Sequence, residues 1–366
     1  MQHPLTPLGR TQGVSPAALV APEELARRAG LEHIVRLGSN ESPFGPAPQA
    51  LAALREALAE SGRYGDPQAL ELRAAIARRH GVAIDEVAVG AGVDDLLGWV
   101  VRAFLAERQA AVASLGGFPT FEMHVHGFGG RLLRVPYLRD ARVDLQGLAD
   151  EAHAAGGALV YLANPDNPTG SHYRWARVAE LLDALPEHSL LIHDEAYANF
   201  APLEDRHPDG PPDPRVIRLR TFSKEYGLAG LRVGYAIAAR GAIAALDALR
   251  LLYGVSRPAQ AAALASLGAD DFVRDVVARI AEGRADYERL GRELAIPTFP
   301  STTNFMLFDF GSRERAESVV AGLLEHGIHV RKPPSPPLDG CVRISVGSAS
   351  ERRMLETSLR RVVRSL

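Results

Sequence analysis

The sequence predicts an α/β fold with a second, smaller α+β region, and two observations support this. Between about residues 67 and 254, short apolar runs alternate with helical stretches, as in a largely parallel sheet flanked by helices. After Gly254 the pattern changes to long helical stretches followed by two strand-like segments. We therefore expect an N-terminal arm with part of the small domain over 1–45, a large domain over 46–254 and a small domain over 255–366.

The elements follow in order along the chain. Residues 1–16 are rich in proline, glycine and polar residues, which indicates a loose arm. Residues 67–80 and 93–108 predict amphipathic helices, the first of them ending at Gly81. Five apolar runs predict buried strands, namely 111–114, 158–163, 190–193, 216–219 and 233–238.

The C-terminal third predicts a different arrangement. Residues 259–267 and 271–294 predict long helices, and residues 304–309 and 342–346 predict strands. Ser348 and Glu351 have the spacing of a capping box, so the last helix should begin there.

Composition narrows the class of protein. The chain has 366 residues, of which 46% are hydrophobic and 23% charged, with a net charge of −3. These values are typical of a globular protein and give no sign of a nucleic-acid or membrane partner. The single cysteine, Cys341, excludes an internal disulfide framework and a cysteine-rich metal site. Because the N-terminus lacks a signal-like pattern, we expect a cytoplasmic protein. We also expect it to bind no metal.

A lysine and an arginine eight residues apart give the first chemical indication. Residues 220–235 read RTFSKEYGLAGLRVGY and place Lys224 and Arg232 after an apolar strand. A lysine there could form an imine with an aldehyde, and an arginine there could hold a phosphate. Pyridoxal 5′-phosphate (PLP) carries both groups.

An aspartate at a strand end gives the second indication. Asp194 closes the apolar run in LLIHDEAYANF, where a carboxylate is unfavourable unless it meets a cation. The protonated ring nitrogen of PLP is such a cation, although a helix N-cap is an equally ordinary role.

A glycine-rich turn gives the third indication. The segment VGAGVDDLL, residues 89–97, predicts a strand-to-helix turn with free backbone N–H groups, chiefly those of Val93 and Asp94. Such a turn is a ready site for an anion.

Arg343 lies within a strand-like run, where its guanidinium would need an anionic partner such as a substrate carboxylate or phosphate.

Taken together, these motifs resemble fold-type I, class I/II PLP-dependent aminotransferases, and most of all the histidinol-phosphate aminotransferase branch. The resemblance covers residues 37–366 and depends on the set of motifs rather than on one of them. It implies a large domain with a mostly parallel, mixed sheet flanked by helices, a smaller α+β domain, and a homodimer with shared active sites.

The resemblance also implies roles for the cofactor-binding residues. Lys224 would hold PLP as an imine, Asp194 would bind the ring nitrogen, and Asn167 and Tyr197 would contact the ring hydroxyl. The phosphate would be held by Val93, Asp94, Ser223 and Arg232, and by Tyr64 of the neighbouring subunit. Phe121 would stack on the ring, although a core position is the alternative; where Val93 and Phe121 stand, the family more often has serine and tyrosine.

For the substrate, the resemblance implies Arg343 and Arg331 as anion partners and Asn40 as part of a segment that closes over the site. Arg331 could equally be a solvated strand-end residue. The implied activity is ping-pong transamination from L-histidinol phosphate to 2-oxoglutarate, in histidine biosynthesis. Because residues 11–25 contain no aromatic side chain, an aromatic amino-acid or specialised-metabolite aminotransferase stays open. A decarboxylase of the threonine-phosphate type is a further alternative.

Overall fold

The fold was analysed in a computed structural model that describes residues 20–106 and 109–366. The predicted loose arm over residues 1–16 lies outside the described residues. Among the described residues, no helix combines the length and the apolarity that crossing a bilayer takes. The helices are α1 (Pro22–Arg28), α2 (Pro48–Leu58), α3 (Leu70–His80), α4 (Val93–Phe104), α5 (Pro119–Gly127), α6 (Leu145–Ala154), α7 (Trp175–Ala184), α8 (Arg240–Asp247), α9 (Arg257–Leu267), α10 (Asp270–Glu293), α11 (Arg313–Glu325) and α12 (Ala349–Arg364).

A seven-stranded sheet forms the centre of the molecule. Its strands are β2 (Val87–Gly90), β3 (Ala110–Ser114), β4 (Arg131–Val135), β5 (Leu159–Ala163), β6 (Leu190–Asp194), β7 (Val216–Thr221) and β8 (Gly234–Ile237). They lie in the order β2-β8-β7-β6-β5-β3-β4. Strand β8 runs in the direction opposite to the other six, so the predicted mostly parallel, mixed sheet is confirmed.

Both faces of this sheet are covered by helices. Alternate side chains of a strand point to opposite faces, and in β5 Tyr161 packs with α4, α5 and α8 whereas Val160 packs with α6 and α7. Helix α4 buries Leu96 and Val100 completely. Each such side chain contributes roughly 1.5–3 kcal/mol to stability. Strands β5, β6 and β7 are therefore held firmly, and so are the turns that follow them.

A second set of strands carries the C-terminal region. Strand β9 (Phe305–Asp309) pairs antiparallel with β11 (Cys341–Ser345), and β1 (Val35–Arg36) pairs parallel with β10 (Ile328–His329). Helices α10, α11 and α12 pack on them around a separate apolar cluster. The pairing of β1 with β10 ties the N-terminal segment to the C-terminal region.

Most predicted element ends agree with the structure. Helix α3 ends at Gly81, which adopts a left-handed φ of 64°, and Ser348 and Glu351 form the expected capping box of α12. Helix α3 begins at Leu70 rather than at residue 67, because the Asp66 carboxylate accepts the N–H groups of Gln68 and Leu70 and holds a turn there. Strands β1, β4 and β10 were not predicted, and β2 was implied only as the strand ahead of the turn over 89–97.

Candidate active site

The candidate site lies where several strands of the central sheet end. Strands β5, β6 and β7 run parallel, so their carboxyl ends meet at one edge of the sheet. Asn167 follows β5, Asp194 is the last residue of β6, and Lys224 follows β7. Ligand sites of α/β sheets typically form at such an edge.

Lys224 lies in the turn between β7 and β8, and its side chain is partly buried. Its Nζ donates a hydrogen bond to the backbone carbonyl oxygen of Asn40 at 3.2 Å. The same Nζ lies 5.4 Å from the centroid of the Tyr197 ring. The amine thus sits between the N-terminal segment and the residues that follow β6, in contact with a neutral acceptor and an aromatic face.

Asn40 links three parts of the chain. It adopts a left-handed φ of 54° and is 2% exposed. Its Nδ2 donates to the Tyr197 hydroxyl at 2.9 Å, and its Oδ1 accepts from the Ser345 hydroxyl at 2.8 Å. Its carbonyl oxygen also accepts from Asn304 Nδ2 at 3.0 Å. Asn40 therefore holds Tyr197 and Lys224 in place, and much of its carboxamide is already used within the chain.

Asp194 is a buried carboxylate with hydrogen bonds but no ion pair within the described ranges. The Tyr161 hydroxyl donates to its Oδ2 at 2.7 Å, and the Ala196 N–H donates to its Oδ1 at 3.0 Å. Burial raises the pKa of Asp194 to about 6. A carboxylate placed like this favours a cationic N–H group as a further partner.

The turn after β2 forms an anion cradle. Gly92 caps α4 with a φ of 90°, and the N–H groups of Val93 and Asp94 have no hydrogen-bond partner in the part of the chain that the structure describes. Arg232 lies across this turn: a Cβ on Gly92 would come within 2.5 Å of Arg232 Nη2. Glycine is needed here by both its φ and its neighbour.

Two further groups complete the cradle. The 47% exposed Arg232 side chain bonds Asp94 Oδ2 at 3.4 Å, a weak surface contact that leaves the guanidinium available to a ligand. Ser223 follows β7, and its hydroxyl accepts a hydrogen bond from Thr221 at 2.9 Å. Strand β8, which lies between β2 and β7, brings Arg232 and Ser223 to the Gly92 turn. The structure thus brings four of the predicted phosphate-binding residues to one place: Val93, Asp94, Ser223 and Arg232.

Two arginines lie side by side on the C-terminal strands. Arg331 and Arg343 form an antiparallel bridge, with the Arg331 N–H donating to the Arg343 carbonyl at 3.2 Å. Arg343 Nη1 donates to the Asn167 side-chain oxygen, and its Nη2 donates to the Gly38 carbonyl at 2.7 Å. Asn167 is thereby joined to Arg343.

These arginines lack acidic partners among the described residues, and burial lowers the pKa of both guanidinium groups, that of Arg343 to about 10. His329, which sequence reasoning did not single out, lies next to them in β10. Its pKa falls to about 4 through burial and the nearby arginine charges, so its ring is neutral at pH 7. The cluster therefore presents two cationic groups suited to an anion.

Two predicted residues stack on other aromatic side chains. Phe121 is 1% exposed and stacks on Tyr161, with centroids 4.8 Å apart and planes tilted by 16°. Through Tyr161, whose hydroxyl donates to Asp194, Phe121 is connected to the buried carboxylate of the site. Tyr64 is 74% exposed and stacks on Tyr253 at 4.2 Å, so in this subunit it faces outward.

Sequence reasoning also missed Tyr161, Asn304 and Ser345, which bond Asp194 or Asn40. Each is a polar residue within or beside an apolar strand. That feature alone could have marked them as candidates, but it could not have identified their partners.

The residues present fit PLP. The cradle offers N–H donors, a hydroxyl and a guanidinium to a phosphate; Lys224 offers an amine to an aldehyde; and Asp194 offers a buried carboxylate to a pyridinium N–H. Tyr197 and Asn167 lie beside Lys224 and Arg343, where they can contact polar substituents of the ring.

Comparison with known proteins also leads to a family of aminotransferases. Residues 32–362 match the family model described as aminotransferase class I and II. Histidinol-phosphate aminotransferase of Roseiflexus castenholzii is 38% identical over 94% of both chains, and histidinol-phosphate aminotransferase 2 of Carboxydothermus hydrogenoformans is 34% identical over 94% of this chain and 95% of that one. The crystal structure of histidinol-phosphate aminotransferase from Sinorhizobium meliloti, in complex with pyridoxal-5′-phosphate, has a TM-score of 0.93 and 42% identity, covering 98% of this chain and 97% of that one. The chain belongs to the class I and II aminotransferase family.

Proposed function

We propose that the protein is a PLP-dependent aminotransferase that takes the amino group of L-histidinol phosphate and transfers it to 2-oxoglutarate, in histidine biosynthesis. The observation that carries the reaction class is the meeting of Lys224, Asp194 and the Gly92 cradle at one sheet edge. The substrate is supported by the relatives' names and by Arg331 and Arg343, which pair across a backbone bridge and have no acidic partner among the described residues.

Lys224 has the central role in this proposal. Bound PLP supplies an aldehyde that reacts with amines and a ring that takes up the electron pair left when the substrate Cα–H bond breaks. The Lys224 amine acts first as a general base, which takes the proton from the substrate Cα, and then as a general acid, which donates that proton again. Asn40 and Tyr197 hold this amine in position. Asp194 keeps the ring nitrogen protonated through its buried carboxylate.

The remaining residues bind and orient. The N–H groups of Val93 and Asp94, with Ser223 and Arg232, hold the cofactor phosphate at the start of α4, where the helix dipole favours an anion. Asn167 and Tyr197 contact the ring hydroxyl, and Phe121 lies against the ring.

The anionic groups of the substrates need cationic partners. Arg343 would bind a carboxylate of 2-oxoglutarate, and Arg331 the phosphate of histidinol phosphate, since the two residues are paired across a backbone bridge. Asn40 would close the N-terminal segment over the bound substrate. An aromatic amino-acid donor carries one carboxylate and leaves the second cation unexplained, so the cluster favours a phosphate-bearing substrate. A threonine-phosphate substrate carries a phosphate and a carboxylate, so the cluster does not separate the decarboxylase alternative from the aminotransferase.

Assembly and location complete the proposal. We place Tyr64 at the cofactor phosphate of a partner subunit in a homodimer, because it lies with Leu251 and Leu252 among the most exposed apolar side chains, at 74%, 70% and 68%. Residues 46–254 would form the cofactor-binding domain, and residues 255–366 with part of 1–45 the smaller one, since β1 pairs with β10. The buried, unpaired thiol of Cys341 is in keeping with a cytoplasmic protein.

The test is a single-turnover titration of the purified protein, followed by the absorbance of its cofactor. We expect L-histidinol phosphate to convert bound PLP to the pyridoxamine form and 2-oxoglutarate to restore it. Conversion by L-phenylalanine instead would move the protein to the aromatic aminotransferases. Absence of a PLP band after reconstitution would contradict the reaction class itself.

A further inference from the structure

Tyr161 touches two residues of the site, although nothing in the known motifs includes it. It lies in β5, is 5% exposed, and faces the same side of the sheet as α4 and α5. Its hydroxyl donates to Asp194 Oδ2 at 2.7 Å, and its ring lies against the Phe121 ring, with centroids 4.8 Å apart. One side chain therefore contacts both the carboxylate assigned to the cofactor ring nitrogen and the aromatic residue assigned to its face.

We propose that Tyr161 is a positioning residue of the reaction, which orients the Asp194 carboxylate through its hydroxyl and supports Phe121 through its ring. This inference rests on the proposed function, because it concerns how Asp194 and Phe121 meet the cofactor.

The sheet register explains why a tyrosine is needed at this position. Ala163 pairs with Asp194 and Tyr161 pairs with Ile192, so Tyr161 is the diagonal neighbour of Asp194 on the same face. A side chain must be long to reach across that diagonal. Phenylalanine would keep the stacking on Phe121 but would leave Asp194 Oδ2 without its side-chain donor.

The hydroxyl of Tyr161 stays a donor over the whole working pH range. Burial, and then the negative charge of Asp194, raise the pKa of Tyr161 well above its ordinary value. The charged groups around Asp194 oppose its ionisation: Asp94 on α4 and Glu195, the next residue along the chain, both raise the pKa of its carboxyl. The Tyr161 hydrogen bond acts in the other direction and favours the carboxylate. Losing it should therefore leave Asp194 both less ordered and easier to protonate.

The experiment compares Tyr161→Phe with Tyr173→Phe in the full-length protein. Tyr173 is a matched control, because its hydroxyl also donates over 2.7 Å, but to the Val143 carbonyl on the far side of the sheet. For Tyr161→Phe we expect the PLP dissociation constant to rise and kcat to fall, each about tenfold to a hundredfold, as for a lost hydrogen bond to a charged group. KM for the amino donor should change less, and the acidic limb of the kcat profile should move to higher pH. Tyr173→Phe should match the wild type in all four quantities.

A second pair of variants separates an effect that acts through Asp194 from a general weakening of the fold. In the Asp194→Asn background the hydroxyl has lost the charge on which it acts, so adding Tyr161→Phe should not change the PLP dissociation constant further. Equal additional weakening in both backgrounds would overturn the inference, as would a Tyr161→Phe enzyme that behaves like Tyr173→Phe. If the wild-type protein binds no PLP, the proposed function fails; if it binds PLP and Tyr161→Phe is normal, only this inference fails.

Discussion

The two sides of the site differ in how their charges are held. On the cofactor side, the Asp194 carboxylate is buried, oriented by two hydrogen bonds and without a cation in the described part of the chain. On the substrate side, Arg331 and Arg343 are only partly buried, adjacent, and bonded to neutral oxygens where they are bonded at all. The buried carboxylate on one side is suited to a positive group, and the arginines on the other side are suited to negative groups.

This difference places the reaction and the choice of substrate in different parts of the fold. Asp194 lies on β6 of the seven-stranded sheet, whereas Arg343 lies on β11 of a two-stranded sheet and Arg331 lies in the segment after β10. The buried end of the central sheet suits a cofactor that every member of the family would use. The half-buried arginines suit substrates that differ between members.

The strongest test of this contrast removes Lys224, which stands between the two sides. We expect Lys224→Ala to lower kcat by about a thousandfold or more, since a positioned general base and acid contributes about 10²–10⁴ and the cofactor anchor is lost as well. The chain offers one matched control, because its only other lysine is Lys332. Lys332→Ala should keep wild-type single-turnover rates; a similar loss in both variants would contradict the assignment.

A second test separates stability from function at Asp194. Burial raises its pKa from an ordinary 3.8 to about 6. The unfolded carboxyl therefore ionises first, and this group lowers the free energy of unfolding as pH rises from about 4 to 6. Two pKa units correspond to about 3 kcal/mol.

We accordingly expect the cofactor-free Asp194→Asn protein to be more stable than the wild type at pH 8, with no gain at pH 4. Urea denaturation of both proteins at both pH values measures this. Burial also raises the pKa of Asp166 to about 6, and the charge of Asp194 adds to this, so Asp194→Asn should relieve Asp166 too and add to the gain at pH 8. Destabilisation at pH 8 would contradict the account.

A third test addresses the substrate side. Arg331→Gln should lower kcat/KM for L-histidinol phosphate about tenfold to a hundredfold, the usual effect of losing a charge-assisted bond. Its effect on L-histidinol, which lacks the phosphate, should be small. Arg315→Gln, an exposed position on α11, is the control for a lost surface charge. An equal loss for the two donors would make Arg331 a structural residue.

The smallest effect should come from the subunit boundary. Tyr64→Phe should weaken PLP binding by about threefold to tenfold, as for a single hydrogen bond, without changing the sedimentation coefficient of the protein. Tyr253→Phe, which removes the hydroxyl from the ring stacked on Tyr64, is the matched control. Equal PLP dissociation constants for the two variants would remove Tyr64 from the phosphate site.

What the sequence predicted well was local. Lys224, Arg232 and the Gly92 turn belong to short motifs at strand ends, so their order along the chain already implied one sheet edge. The hydrogen bonds that hold them were not predictable, because Asn40 and Tyr197 are 157 positions apart and Tyr161 and Asp194 are 33 apart. Nothing in a single strand shows which polar group faces it across the sheet.

Short strands were the other gap. Strands β1 and β10 have two residues each, too few to show a periodicity. Strand β4 is as long as β5, but arginines stand at its first and fourth positions, so it forms no continuous apolar run. Phe121 shows a third limit. The motif predicted an aromatic side chain at the cofactor ring, but the packing of Phe121 against Tyr161 depends on strand β5, which is distant in sequence.

The hydrogen bonds between Asn40 and Ser345 span 305 positions of the chain. During synthesis from the N-terminus, the central sheet is complete long before Ser345 has been made. A nascent chain can therefore contain Lys224, Asp194 and the anion cradle while Asn40 still lacks Ser345. Closure of the N-terminal segment around the lysine is thus among the last events of biosynthesis, and a chain terminated between β8 and β11 has every strand of the central sheet but not the complete site.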